Sequence, residues 1–103
     1  MPIDELADPI RRDVDKAIEI LTRFGAAEVY LFGSVLTGSA DSGTGDIDID
    51  IDIAVTGLSP RKFFAARGQL AMQLIHEFDL VDLDDASVFV ETLRRSGRLE
   101  RVA

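Results

Sequence analysis

The chain contains no cysteine, which excludes disulfide staples and thiolate metal sites and suits the cytoplasm. No apolar run approaches the roughly 20 residues that span a membrane. The N-terminal stretch MPIDELADPIRRD is charged and has no apolar core, so it does not read as a secretory signal. Positive charge is scarce as well: eleven Lys and Arg against nineteen Asp and Glu leave a formal net charge of −8. Nine of those nineteen acids fall in two short stretches, Asp41–Asp52 and Asp79–Asp85, and no Lys or Arg lies between Arg23 and Arg61. A nucleic-acid backbone is normally held by clustered cations, so direct nucleic-acid binding is not expected. A small nucleotide carried with its own metal, or a protein partner, suits this surface better. No internal repeat or low-complexity linker occurs apart from one Asp-Ile run.

What the chain does have is enough apolar material, 47% over 103 residues, for one core and one domain, 1–103. Asp8-Pro9 supplies an N-cap followed by a proline at the first helical position. Ile10, Val14, Ala17, Ile18, Leu21 and Phe24 then recur at helical spacing until Gly25. Glu28–Phe32 (EVYLF) reads as a short strand ended by Gly33-Ser34. The stretch from Gly38 to Gly45 is Gly, Ser, Thr, Ala and Asp, which reads as a mobile loop. A strand ending near Val55 follows. Ser59-Pro60 opens a second helix, with Phe63, Phe64, Leu70, Leu74 and Ile75 as its expected buried stripe. Phe78–Leu83 predicts a third strand, Ala86–Arg95 a third helix ended by Gly97, and Arg98–Ala103 a short edge strand. The order is that of an α+β fold, a small mixed β-sheet packed by about three helices.

Residues Gly45–Val55 read GDIDIDIDIAV. Side chains along a strand alternate between its faces, so Asp46, Asp48, Asp50 and Asp52 would share one face and four isoleucines the other. Aspartate is depleted in strands, and carboxylates lined along one face repel each other. A divalent cation is the obvious counter-charge. An EF-hand does not fit: Asp46, Asp48 and Asp50 match its first three ligands, but its required Gly falls on Ile51 and its closing Glu on Gly57. A purely structural ladder would bind no metal and would gain stability from Asp→Thr changes.

Gly33-Ser34 ends a strand, and backbone N–H groups at such a junction can hold phosphate oxygens. There is no lysine, so this is not a P-loop, and alone the pair reads most simply as a turn. Its sequel carries more information: a flexible loop, then Asp-x-Asp in a strand, then another Asp in a neighbouring strand. The arrangement FGSVLTG…DIDIAV…FDLVDL, with DIDIAVTGLSPRKFF and the tail DLVDLDDA…GRL, resembles the DNA polymerase beta-like nucleotidyltransferases, and among them the minimal nucleotidyltransferases. The resemblance runs from about Val29 through Gly97.

It implies that Gly33 and Ser34 hold the terminal phosphates of ATP. It also implies that paired aspartates bind two Mg²⁺ ions, with Mn²⁺ as a substitute, and that a third carboxylate on the adjacent strand completes the site. Two metals about 4 Å apart can bridge the α-phosphate, lower the pKa of the attacking hydroxyl and neutralise the departing pyrophosphate. Carboxylates at i and i+2 lie roughly 7 Å apart along one face, within reach of shared ions.

The ladder leaves the register open. Asp46/Asp48 lies close to the usual loop length after Gly-Ser, whereas Asp50/Asp52 is correctly spaced ahead of the second helix. We favour Asp50 and Asp52, since a Gly- and Ser-rich loop absorbs four extra residues cheaply. Asp46 and Asp48 would then be an added metal-binding unit at the mouth. Asp79 matches the third carboxylate better than Asp82, which is three residues on and faces the other way. Asp82, Asp84 and Asp85 read as a solvated loop ahead of the third helix. The family often carries Arg just after Gly-Ser, where this chain has Val35, Leu36 and Thr37. His76 reads as a cap of the second helix or a surface residue. Of Phe63 and Phe64 one reads as core, while the other is a candidate to cover the nucleotide base.

Minimal nucleotidyltransferases of this kind are commonly paired with a small helical HEPN ribonuclease toxin. The resemblance therefore implies an antitoxin that transfers AMP from ATP to a hydroxyl, a tyrosine, of such a partner, in a hetero-oligomer. The competing expectation is a catalytically weak binding module that neutralises its partner by docking.

Overall fold

The computed structural model describes residues 8–36 and 50–103. Its elements run α1 (Asp8–Arg23), β1 (Glu28–Phe32), a single 3-10 turn (Gly33–Leu36), β2 (Ile51–Thr56), α2 (Pro60–Gln73), β3 (Phe78–Asp82), α3 (Val88–Ser96) and β4 (Glu100–Arg101). The four strands form one sheet in the order β3-β2-β1-β4. β1 runs antiparallel to β2 and to β4, while β2 and β3 are parallel. Parallel neighbours need a crossover, and α2 supplies it. This is the expected α+β architecture of three helices on a small mixed sheet. No described helix is long and apolar enough to cross a membrane.

The helix boundaries follow from their caps. Ser59 accepts a hydrogen bond from the Lys62 N–H at 3.4 Å, with Pro60 opening α2. Ser87 does the same for the Val90 N–H at 3.1 Å, so α3 starts two residues later than the composition suggests. Gly97 ends α3 in the left-handed conformation, φ 68°.

The two faces of the sheet carry different loads. On one, Ile10, Val14, Ala17, Ile20 and Leu21 of α1 and Ala66 and Leu70 of α2 pack on Val29, Leu31, Ile51, Ile53 and Val55. On the other, Phe32, Ala54, Leu83 and Val90 form a smaller cluster edged by Tyr30, Val81, Leu93 and Leu99. Strand alternation puts Asp52 on the second face with Ala54, and Ile51 and Ile53 on the first.

α2 departs from the expected stripe. Phe63 and Leu74 are partly buried against the core, but Phe64 and Ile75 are 67% and 65% exposed. The helix has apolar residues on both sides, and only one side meets the sheet.

His76 departs from expectation too. It is buried, and its Nδ1 lies 2.6 Å from Asp13 Oδ2 on α1. The backbone N–H groups of Ile75 and His76 donate to the same Asp13 carboxylate, at 3.0 and 2.7 Å to Oδ2. Asp13 is itself fully buried. It therefore pins the segment between α2 and β3 to α1, just ahead of the strand that carries Asp79. A buried carboxylate is tolerated because these three donors, with the Arg12 guanidinium 3.5 Å from Oδ1, saturate it.

Candidate active site

The parallel pairing of β2 and β3 places Asp52 opposite Asp79, and the antiparallel pairing of β1 and β2 places Asp52 opposite Phe32. Both acids are thus carried by ladder hydrogen bonding rather than by loops. The backbone N–H of Ile51 donates to Glu77 C=O at 2.9 Å, which extends the pairing to the acidic end of both strands. Asp52 is half-buried, while Asp79 and Asp50 are exposed. Asp46 and Asp48 lie outside the described residues.

Gly33, the first residue of the 3-10 turn, approaches Asp52 from the β1 side. Its φ is +76°, and a Cβ built there would land on Asp52 Oδ2 and come within 3.1 Å of Cγ. Only glycine gives both the conformation and the clearance. Ser34 occupies the next position of the turn; its side chain lies outside the described part. Of the three residues that stand where the family often carries Arg, Val35 is fully buried in the core beneath the turn, while Thr37 lies outside the described residues. A side chain at position 35 points away from solvent, so the missing cation there reflects packing.

The electrostatics are those of an uncompensated acidic pair. Burial, reinforced by the Asp79 and Asp50 charges and by a hydrogen bond with Asp79, pushes the Asp52 carboxyl from 3.8 up to about 6. No positive charge contributes to that shift. Among the described residues no three His, Asp or Glu side chains are gathered closely enough to form a ready-made metal group. What the described part brings together is the Asp52–Asp79 pair, with the Asp50 charge near enough to act on Asp52. Two adjacent carboxylates without a cationic partner are a donor set that suits a hard divalent cation.

Asp52 and Asp79 open into a cavity of about 550 Å³ whose other walls are Phe32, Leu80, Val81 and Phe89. The aromatic ring exposed at this site comes from α3. Phe63 and Phe64 belong to α2 and the opposite face of the sheet, so neither covers the site; their rings pack edge to face, 6.0 Å apart. Sequence reasoning missed Phe89, since nothing in its spacing separates a surface aromatic from a core one. Asp82 and Asp84 serve the following turn: Asp82 Oδ1 accepts from the Asp84 N–H at 2.9 Å, and Asp84 Oδ2 from the Gly57 N–H at 2.7 Å.

The model of the family described as "Polymerase beta, Nucleotidyltransferase" matches residues 15–99. No curated protein sequence matches the chain significantly. Among solved structures, a toxin–antitoxin complex with AMP-PNP contains a chain 30% identical, with a TM-score of 0.58, over 84% of this chain and 69% of that one. A complex of tri-AMPylated HEPN toxin with MNT antitoxin from Shewanella oneidensis contains one 27% identical, with a TM-score of 0.59, over 88% and 69%. The MntA–HepT toxin–antitoxin complex gives 26% identity and a TM-score of 0.59 over 88% and 69%.

Proposed function

The chain belongs to the polymerase beta nucleotidyltransferase family, and on that premise we propose that it is a metal-dependent transferase that moves AMP from ATP onto a tyrosine hydroxyl of a HEPN-type toxin. In this reading it acts as that toxin's antitoxin, in a cytoplasmic hetero-oligomer, with residues 1–103 working as one nucleotidyltransferase domain. The observation that carries the reading is the in-register Asp52–Asp79 pair with Gly33 pressed against Asp52. The solved relatives support it, since they include an AMPylated HEPN toxin and a complex with AMP-PNP.

Asp50, Asp52 and Asp79 would hold two Mg²⁺ ions, or Mn²⁺ in their place, and Asp46 and Asp48 would extend the acidic donor set. The bound ions supply charge neutralisation of the triphosphate and a lowered pKa for the attacking hydroxyl. The chain's own contribution is positional. The sheet fixes Asp52 and Asp79 side by side, and the turn at Gly33 and Ser34 offers backbone N–H groups where a side chain would block the approach. The acceptor oxygen attacks the α-phosphorus, the bond to the bridging oxygen breaks, pyrophosphate leaves, and the hydroxyl proton passes to solvent.

A docking module with an idle site is the second reading. It is favoured by the run Val35, Leu36 and Thr37, which holds no Arg where family members often carry one, Val35 being fully buried. Incubating the protein with Mg²⁺, labelled ATP and its co-encoded neighbour separates the two. Label on a partner tyrosine, lost in Asp52→Ala and Asp79→Ala, supports transfer. Full neutralisation of the partner by those variants, with no label in the wild type, supports docking.

A further inference from the structure

We propose that Phe89, at the start of α3, is the platform on which the nucleobase of the bound nucleoside triphosphate stacks. The inference rests on the transferase reading above and adds the base-holding residue to it.

Two rings are exposed among the described residues, Phe64 at 67% and Phe89 at 56%. Only Phe89 shares a cavity with the acids. Divalent ions held by Asp52 and Asp79 would draw the phosphates to that end, and the base is tied to them by a single ribose. It must therefore come to rest in the same cavity or at its rim. The remaining described lining there is apolar: Leu80, Val81, Phe32, which is only 9% exposed, and the exposed Phe89. Ser87, two residues earlier, caps α3 by accepting from the Val90 N–H, so Phe89 stands in the capped first turn of the helix. A half-exposed phenyl ring carries a standing hydration cost that an overlying base removes.

The lining also limits what the site can read. Among the described residues its only polar side chains are the two carboxylates, and these would be taken up by metal. No described side chain is placed to hydrogen-bond a base edge, so the base is held by its π-face, which every nucleobase has. Binding should therefore be nearly indifferent to base identity.

The test is calorimetric titration of AMP-PNP, GMP-PNP and inorganic tripolyphosphate, each with Mn²⁺, into wild type, Phe89→Ala and Phe89→Tyr. Phe89→Ala should weaken AMP-PNP binding about tenfold and leave tripolyphosphate unchanged, a loss within the range of one base–aromatic stack. Phe89→Tyr should restore AMP-PNP binding, and AMP-PNP and GMP-PNP should bind wild type within about threefold of each other. Phe89 belongs to neither buried cluster, so an unchanged melting profile checks that the variants fold. Unaltered AMP-PNP binding in Phe89→Ala would overturn the proposal and leave the ring to the protein acceptor. Equal weakening of AMP-PNP and tripolyphosphate would overturn it too, since the defect would then lie at the phosphates. If wild type binds tripolyphosphate but neither nucleotide more tightly, base stacking fails while the transferase reading stands. If it binds none of the three, both fall.

Discussion

Asp52 stands opposite Asp79 across the parallel β2–β3 pair, with no cation set against either carboxylate in the forces that shift Asp52. In the metal-free protein this is a repulsive contact held in place by the packing of Ile51 and Ile53 on the far side of the same strand, both fully buried. Its consequences for stability and for binding can be measured separately.

The first concerns pH. Asp52 binds its proton more tightly in the folded state, where its pKa is about 6, than at the ordinary 3.8. Between those values the folded state holds more protons, so the stability of the metal-free protein falls as pH rises through that window and stays lower above it. Asp52→Asn should remove this slope and stabilise the metal-free protein at neutral pH. After allowance for solvent screening at this half-open site, the gain is on the order of 1 kcal/mol, or about 4–8 °C in melting temperature for a domain of this size. Melting curves from pH 4 to 8 in EDTA check it. A variant no more stable than wild type would contradict it.

The second concerns Gly33. Gly33→Ala should cost about 1–3 kcal/mol from the positive φ alone, plus the collision with the Asp52 carboxylate. In an Asp52→Ala background the collision is gone, because the Asp52 Cβ sits at an ordinary 3.5 Å from the added methyl. A double-mutant cycle by urea unfolding should therefore show a coupling of about 0.5–3 kcal/mol. Strict additivity would mean that the turn does not press on Asp52.

The third concerns Asp13. Asp13→Ala strips His76 Nδ1 and two backbone N–H groups of their acceptor inside the protein. Breaking one side of a buried polar pair costs about 3–5 kcal/mol. The loosened segment leads directly into β3, so hydrogen exchange at Leu80 and Val81 should rise more than at Val29 and Leu31. Uniform acceleration across the sheet would show that Asp13 stabilises the whole fold without favouring β3.

Much of this was legible in the sequence, and the misses have physical causes. The Ser-Pro cap and Gly97 marked α2 and the end of α3, because each is a local rule that tertiary packing left intact. Of the Asp-Ile alternation only Ile51, Asp52 and Ile53 lie in β2, which begins at Ile51, so Asp50 precedes the strand it was expected to share. Asp52 and Asp79 could be picked out as candidates, but their direct opposition depends on strand register, which no local pattern specifies. The exposed side of α2 was misread because its apolar residues lie all around the helix, so periodicity cannot say which ones meet the sheet. Asp13 left a signal that was passed over. It sits between Ile10 and Ala17 on the buried face of α1, and an acid at a core-facing position needs donors somewhere. His76, the adjoining backbone and Arg12 are those donors.

The central claim is that the Asp52–Asp79 pair holds divalent ions for a nucleotide. Titrating Mn²⁺ in the presence of AMP-PNP and following free Mn²⁺ by electron paramagnetic resonance tests it most directly. The account predicts more Mn²⁺ bound than AMP-PNP alone takes up, with that excess abolished by Asp52→Ala and by Asp79→Ala. Uptake equal to that of the nucleotide alone, or an excess that survives both substitutions, would contradict it.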